Sequence, residues 1–271
     1  MKTFALALGA GGARGLAHIA IVEALDEMGV KPAAIAGCSI GAVIGAGYAA
    51  GLTGRVMRRH IISLAHDRGE VMRRVMSARA AAWSEILGAG FGNPFVADPL
   101  KFYDAFLGEL LPADFSNLEI PLTVIATDLH ARESLVLREG PLRPAVAASM
   151  AIPGLVQPLT IEERVLVDGG VTDPLPFACL RGSADVVVAV DVSGGTGERS
   201  VPDPWESLFS AIGVMGHTIV QHKLRDGAPD LVLRPNIGIF RMLDFFQASA
   251  ILRAAEPIKP ELKTRLGALL S

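Results

Sequence analysis

Ser39 stands in Gly37-Cys38-Ser39-Ile40-Gly41, a G-x-S-x-G pattern, and Asp168 stands in Val165-Leu166-Val167-Asp168-Gly169-Gly170. A serine on a tight strand-to-helix turn projects its hydroxyl from the end of a sheet. The flanking glycines are needed there because a Cβ would collide with the adjoining strand and helix. An aspartate between an apolar strand and two glycines stands at the C-terminal edge of a sheet, where open α/β sheets bind their ligands. A third element is Gly9-Ala10-Gly11-Gly12-Ala13-Arg14-Gly15. Its glycines leave backbone N–H groups open to a developing oxyanion, and a helix predicted to start near Leu16 aims its positive end at the same place. A nucleophile, a carboxylate base and oxyanion donors are the parts of an acyl-transfer site.

Each motif alone has a blander reading. Ser39 fits a helix N-cap, and Asp168 fits a turn aspartate. The glycine loop fits phosphate or dinucleotide binding. Two features oppose the dinucleotide reading: Arg14 replaces the third glycine of G-x-G-x-x-G, and Cys38 and Ser39 stand where an acidic residue would hold a ribose. A Ser-His-Asp site is another alternative, with His217 or His222 following Ser39 and Asp168 in chain order. Such enzymes have several strands before the elbow, whereas here the elbow ends the second. His217 and His222 lie five residues apart in a helical stretch and read as packed or solvated. His18 reads as packed near the glycine loop, and His60 and His66 as solvated. No histidine set has metal spacing, and neither a metal nor an organic cofactor is implied.

The elements that must position these groups are short apolar strands alternating with helices, which argue a mostly parallel sheet covered on both faces. Strands are predicted at Thr3–Leu8, Ala33–Ala36, Leu122–Ala126, Ser134–Leu137, Arg164–Val167, Asp185–Val190 and Leu231–Leu233. Helices are predicted at Leu16–Met28, Ala42–Ala50, Ala145–Ala151 and Phe240–Ala255, the last with Phe240, Leu243, Phe246, Ala250 and Ile251 on one face.

The chain has 271 residues, 51% hydrophobic and 20% charged, with a formal net charge of -3. This is a globular composition, and the charge argues against nucleic acid as a partner. Cys38 and Cys179 are the two cysteines and make no disulfide framework, which suits a reducing compartment. The N-terminus lacks the long apolar run of a signal peptide. Pro32–Gly54 carries no charge and has GxxxG spacing. It is mostly Gly and Ala, so a buried strand, turn and helix explain it better than a membrane span. Arg55, Arg58, Arg59, Arg68, Arg73, Arg74 and Arg79 face only Asp67 and Glu70 over that stretch. They read either as a solvated helical face or as a cap that meets anionic head groups.

Taken together, Gly9–Gly15, Gly37–Gly41, Ser149-Met150-Ala151-Ile152-Pro153-Gly154 with Pro158, and Asp168-Gly169-Gly170 with Asp173-Pro174-Leu175-Pro176 resemble the bacterial patatin-like phospholipase family. The matching stretches span roughly Phe4 to Val192. The resemblance implies a three-layer α/β/α fold and hydrolysis of acyl esters of phospholipids or lysophospholipids by a Ser–Asp dyad. It carries the nucleophile to Ser39, the base to Asp168 and the oxyanion role to the backbone of Gly11 and Gly12. The Ile40 N–H joins these donors, and Arg14 matches the arginine of the family's loop. Gly9 and Ala10 depart from the Asp-Gly that often begins it. The expected organisation is one domain over residues 1–271, with a helical cap at about 53–100 and a helical segment at about 240–271. The expected partner is a lipid ester met from the cytoplasmic side, with peripheral contact at the inner membrane face through the arginines and through Phe240, Leu243 and Phe246. A homo-oligomer, an acyltransferase and a non-catalytic lipid- or nucleotide-binding module remain open.

Overall fold

The computed structural model describes residues 2–66, 69, 73, 97–194, 201 and 203–271. Among these, eight strands form one mixed sheet: β1 (Phe4–Leu8), β2 (Ala34–Cys38), β3 (Leu122–Asp128), β4 (Glu133–Leu137), β5 (Leu159–Ile161), β6 (Arg164–Asp168), β7 (Val186–Val190) and β8 (Leu231–Leu233). Their order is β5-β6-β3-β2-β1-β7-β8, with β4 paired to β3. The run from β3 through β8 is parallel, whereas β4, β5 and β6 enter antiparallel.

The period-two alternation of the strands sorts the core into two faces. Phe4, Leu6 and Leu8 of β1 and Val186, Val188 and Val190 of β7 pack on one face. That face meets helices α1 (His18–Met28), α2 (Ile40–Ala49) and α3 (Gly54–His66). The C-terminal pair α7 (Ala248–Ala255) and α8 (Ile258–Leu270) covers it further. The smaller Ala5, Ala7, Val187 and Ala189 point to the other face, against Leu175, Phe177, Leu180 and Val220 of α6 (Pro204–Asp226). Each large side chain removed from water on these faces contributes about 1.5–3 kcal/mol. Two further helices are α4 (Pro99–Phe106) and α5 (Leu142–Ser149).

One pairing detail positions the site. Along β3, Val124 and Ile125 pair with both β2 and β4, and Ala126, Thr127 and Asp128 pair with both β4 and β6. Each strand has two edges, so β2 and β6 share the edge opposite β4. They run toward each other, and β2 ends with Cys38 at Ile125 where β6 ends with Asp168 at Ala126. The residues after Cys38 and at Asp168 therefore meet head-on.

Several predicted boundaries shift for physical reasons. α1 starts at His18 and is preceded by a 3-10 turn, Gly12–Ala17, because the glycine loop stays bound to neighbouring strands. α5 begins at Leu142, before Pro144, since proline is tolerated in a helix's first turn. Phe240–Ala255 is not one helix. The Met242 carbonyl accepts the Ala13 N–H at 2.8 Å, and the Asp244 carboxylate accepts the Arg241 N–H at 2.8 Å. These bonds hold a turn, and helix resumes only at Ala248. Phe240 is buried in the core, so of the expected apolar face Leu243 and Phe246 are exposed, joined by Phe245. Pro32–Gly54 contains β2 and the ten-residue α2, and no described helix is long and apolar enough to cross a membrane.

The expected cap lies largely outside the described residues, as do Arg68, Arg74 and Arg79. Within α3, Arg58 is not a free surface charge. It donates to Glu23 Oε1 at 2.5 Å and to Glu256 Oε1 at 2.5 Å, while Lys259 reaches Glu23 at 2.6 Å, tying α1, α3 and α8 together. Arg55 and Arg59 are exposed.

Candidate active site

Ser39 joins β2 to α2 with φ 55° and ψ -126°. A non-glycine residue in such a conformation stores about 1–3 kcal/mol of strain and needs the surroundings to hold it. Two contacts do so. Gly41 packs against the end of β1, where an added Cβ would lie 2.2 Å from the Leu8 carbonyl oxygen. The Ser39 N–H donates to Ser149 Oγ at 2.9 Å, and Ser149 Oγ donates in turn to the Ile125 carbonyl at 2.6 Å. The result aims the Ser39 hydroxyl at Asp168, where Oγ donates to Oδ2 at 2.5 Å. Cys38, the residue before Ser39, is fully buried, and burial pushes its thiol well above its ordinary value. It stays protonated and does not compete as a nucleophile.

Asp168 is held from three sides. Its other oxygen, Oδ1, accepts the Gly170 N–H at 2.7 Å. Its backbone N–H donates to the Ala151 carbonyl at 3.0 Å, and its carbonyl accepts the Thr127 hydroxyl at 3.0 Å. Residues 149–153 thus grip both groups, Ser39 through Ser149 and Asp168 through Ala151. Burial raises the Asp168 carboxyl from 3.8 to about 6, opposed by the hydrogen bonds from Ser39 and Gly170. A carboxylate tuned this way is a better proton acceptor near neutral pH than an exposed one.

The glycine loop passes beside this pair. The Gly9 N–H donates to Val190, the Ala10 N–H to Pro174 and the Ala13 N–H to Met242. Among the described residues, the N–H groups of Gly11, Gly12 and Ile40 have no acceptor. Gly12 has φ +57°, and a Cβ on it would lie 2.3 Å from the Met242 carbonyl oxygen. Arg14 is buried, and its Nε and Nη1 reach the Gly11 and Gly194 carbonyls, each at 3.4 Å. The C=O and N–H of a trans peptide point in opposite directions. Holding the Gly11 carbonyl toward Arg14 therefore turns the Gly12 N–H away from it. Burial lowers the Arg14 guanidinium from its ordinary value, and the charge of Asp191 opposes that. Below the loop His18 is fully buried, with Nε2 2.8 Å from the Gly9 carbonyl. Burial brings its value down to about 4, so the ring is neutral and donates this bond.

Ser39, Asp168, Gly11, Gly12, Arg14 and Gly170 line one open cleft of about 500 Å³, solvent-open space included. The histidine alternative finds no matching geometry among the described residues. His217 Nδ1 is 3.3 Å from Ser193 Oγ and His222 is exposed, while the Ser39 hydroxyl is bonded to Asp168.

A family model described as patatin-like phospholipase matches residues 6–180. The chain belongs to the patatin-like phospholipase family. An uncharacterized NTE family protein of Mycobacterium tuberculosis is 38% identical over 191 residues, covering 70% of this chain and 49% of that protein. Patatin-like phospholipase domain-containing protein 7 of Rattus norvegicus is 29% identical over 272 residues, covering 90% of this chain and 19% of that protein. The chain thus spans about half the length of the mycobacterial relative and less of the rat one. The crystal structure of VipD from Legionella pneumophila superposes with a TM-score of 0.50 at 15% identity, covering 96% of this chain and 66% of that one. It shows a shared fold.

Within this patatin-like chain, sequence reasoning brought Ser39, Asp168 and the glycine loop together and missed their supports. Ser149 and Ala151 stood inside a quoted stretch, but nothing local marked them as partners of Ser39 and Asp168. Asp191 was findable. It follows the apolar strand β7 as Asp168 ends β6, and it is buried, accepting the Ser193 N–H and hydroxyl at 3.0 and 2.6 Å and pairing with Arg234 at 3.1 Å. Met242 carries no sequence signal, because its place beside Gly12 depends on a turn that the apolar periodicity conceals.

Proposed function

We propose that this protein is a serine acyl-hydrolase that cleaves acyl esters of lipids, phospholipids or lysophospholipids, through an acyl-enzyme on Ser39. The observation that carries the reading is the 2.5 Å hydrogen bond from Ser39 Oγ to a buried Asp168, facing a cleft beside backbone N–H groups that have no acceptor among the described residues. Family membership supports a lipid ester as the substrate class.

In this mechanism Ser39 Oγ attacks the ester carbonyl carbon and its proton passes to Asp168 Oδ2. The carbonyl oxygen, now negative, takes hydrogen bonds from the N–H groups of Gly11, Gly12 and Ile40, the last at the positive end of α2. Arg14 fixes the Gly11–Gly12 peptide. The intermediate collapses, and the leaving alcohol takes the proton from Asp168. Water then attacks the acyl-enzyme, gives its proton to Asp168, and Ser39 is regenerated when that proton returns to Oγ. His18 and Cys38 move no proton in this scheme.

The test is turnover of a panel of phospholipids, lysophospholipids and short-chain esters by the wild type and by Ser39→Ala. Hydrolysis that Ser39→Ala abolishes is expected. Because Asp168 must be ionised to accept the proton, kcat/KM should rise as pH increases through about 6 and then level off. His217→Ala and His222→Ala should retain activity. Collapse of turnover in a folded histidine variant would favour the triad alternative, and turnover that survives Ser39→Ala would reject the mechanism.

A further inference from the structure

The Gly9, Ala10 and Ala13 N–H groups of the glycine loop are bonded to Val190, Pro174 and Met242, whereas those of Gly11 and Gly12 have no acceptor among the described residues. Glycine has wide conformational freedom, so nothing intrinsic to Gly11-Gly12 aims these two donors. One short segment, Asp191 to Gly194 after β7, supplies the constraint. Val192 closes one side, where a Cβ on Gly11 would lie 2.7 Å from Val192 Cγ2 and 2.9 Å from its carbonyl oxygen. Arg14 takes the Gly11 carbonyl through Nε and the Gly194 carbonyl through Nη1.

Asp191 builds that segment. Its N–H donates to the Leu233 carbonyl of β8 at 2.9 Å. Its Oδ1 accepts the N–H and the hydroxyl of Ser193 at 3.0 and 2.6 Å, which closes a turn, and its Oδ2 accepts Arg234 Nε at 3.1 Å. The side chain is only 1% exposed. The turn by itself needs no charge, since asparagine closes such turns equally well. Arg14 gives the charge a use. Its guanidinium is buried, and among the described residues its hydrogen bonds go to neutral carbonyls. A buried cation needs a counter-charge, and the charge of Asp191 acts on Arg14 in that sense.

We infer that Asp191 is a positioning residue for the reaction: it holds the Asp191–Gly194 turn and the Arg14 guanidinium in place, and through them aims the Gly11 and Gly12 N–H groups at the oxyanion. The inference rests on the acyl-hydrolase reading of Ser39 and Asp168. Asp191 acts from behind the site, for Arg14 and Ser193 line the cleft and Asp191 does not. Without its charge, Arg14 is drawn toward the water of the cleft and releases the Gly11 carbonyl, and the Gly11–Gly12 peptide is free to turn.

The experiment measures kcat and KM on a p-nitrophenyl ester across the pH range for the wild type, Asp191→Asn, Arg14→Gln and the double variant, with thermal melts to establish folding. Asparagine keeps the acceptor for Ser193 and removes the charge. Oxyanion donors act on the transition state, and losing one outright costs about 10²–10³ in kcat. Donors that are present but misaimed should cost on the order of tenfold in kcat, with KM within about twofold of wild type. The rise of kcat/KM through about pH 6 should stay in place, because that value belongs to Asp168 and is set by burial and by the bonds from Ser39 and Gly170. In the Arg14→Gln background, Asp191→Asn should cost less than about twofold, since the two residues act as a unit. Wild-type kcat in folded Asp191→Asn, a loss in KM alone, losses that multiply in the double variant, or a displaced pH rise would each overturn the role. If Asp191→Asn does not fold, Ser193→Ala carries the test. It removes the 2.6 Å bond to Oδ1 and keeps the charge, so kcat should fall severalfold, and an unchanged kcat would overturn the role. A wild type without ester turnover overturns the hydrolase reading and the role together. Turnover that Ser39→Ala abolishes and Asp191→Asn leaves intact overturns the role alone.

Discussion

Asp168→Asn loses turnover by on the order of 10³-fold or more while gaining stability above pH 6. Asparagine keeps the shape and can occupy the same bonds to Gly170 and Thr127, but it accepts no proton from Ser39. The stability change follows from burial. The folded-state value of Asp168 is raised to about 6 from 3.8, so folding favours its protonated form. The wild type has that stability in full below about pH 4 and loses it as pH rises through about 6. Two pKa units correspond to about 3 kcal/mol, which is the ceiling on the effect. Asparagine carries no charge to desolvate, so the variant's advantage should be small at pH 4, grow to pH 6.5 and then stay level. Urea unfolding of both proteins at pH 4, 5, 6, 7 and 8 reads this directly. A difference that does not change with pH would mean that Asp168 is not held against its charge.

The second large effect is structural. Gly41→Ala should cost at least about 3 kcal/mol or prevent folding. The new Cβ would stand 2.2 Å from the Leu8 carbonyl oxygen, 2.6 Å from its carbon and 2.8 Å from the Gly9 carbonyl oxygen. All three are backbone atoms where β1 leaves the sheet to begin the glycine loop, so relief requires shifting either the loop or α2. If the protein still folds, the elbow and the loop move apart and activity falls with stability. Gly47→Ala, in the same helix, is the contrast. Its Cβ would meet the flexible end of Met57, with Cε at 3.3 Å, and alanine suits the helix better than glycine. It should be close to neutral in a thermal melt. Equal melting temperatures for Gly41→Ala and wild type would show that the approach of α2 to β1 is looser than described.

These two predictions draw on features of different legibility. Gly37–Gly41 and Asp168-Gly169-Gly170 combine strand-end position with local glycine chemistry, so their meeting at one sheet edge could be expected from short stretches of sequence. That β2 and β6 end head-on along one edge of β3 could not, because β6 enters antiparallel in an otherwise parallel run. Ser149 was invisible as a partner because both its bonds are long-range, to Ser39 across 110 residues and to Ile125 across 24. The Phe240–Ala255 stretch has helical periodicity, yet the tertiary bond from Ala13 to the Met242 carbonyl and the local bond from the Arg241 N–H to the Asp244 carboxylate outweigh it. Its expected membrane face changes accordingly, with Phe240 taken into the core. Arg58 shows the same limit, since its carboxylate partners come from α1 and from Glu256 between α7 and α8.

The central claim is that Asp168 activates Ser39 directly. The rate at which a fluorophosphonate probe labels the protein, followed by intact mass and peptide mapping from pH 4.5 to 8, tests it most closely, because phosphorus is attacked by an activated serine without a need for the natural substrate. The account predicts one adduct, on Ser39. Its rate should rise with pH through about 6 to a plateau in the wild type, and fall by orders of magnitude, with no such rise, in Asp168→Asn. Labelling on another serine, or an unchanged rate on Ser39 in folded Asp168→Asn, would contradict it.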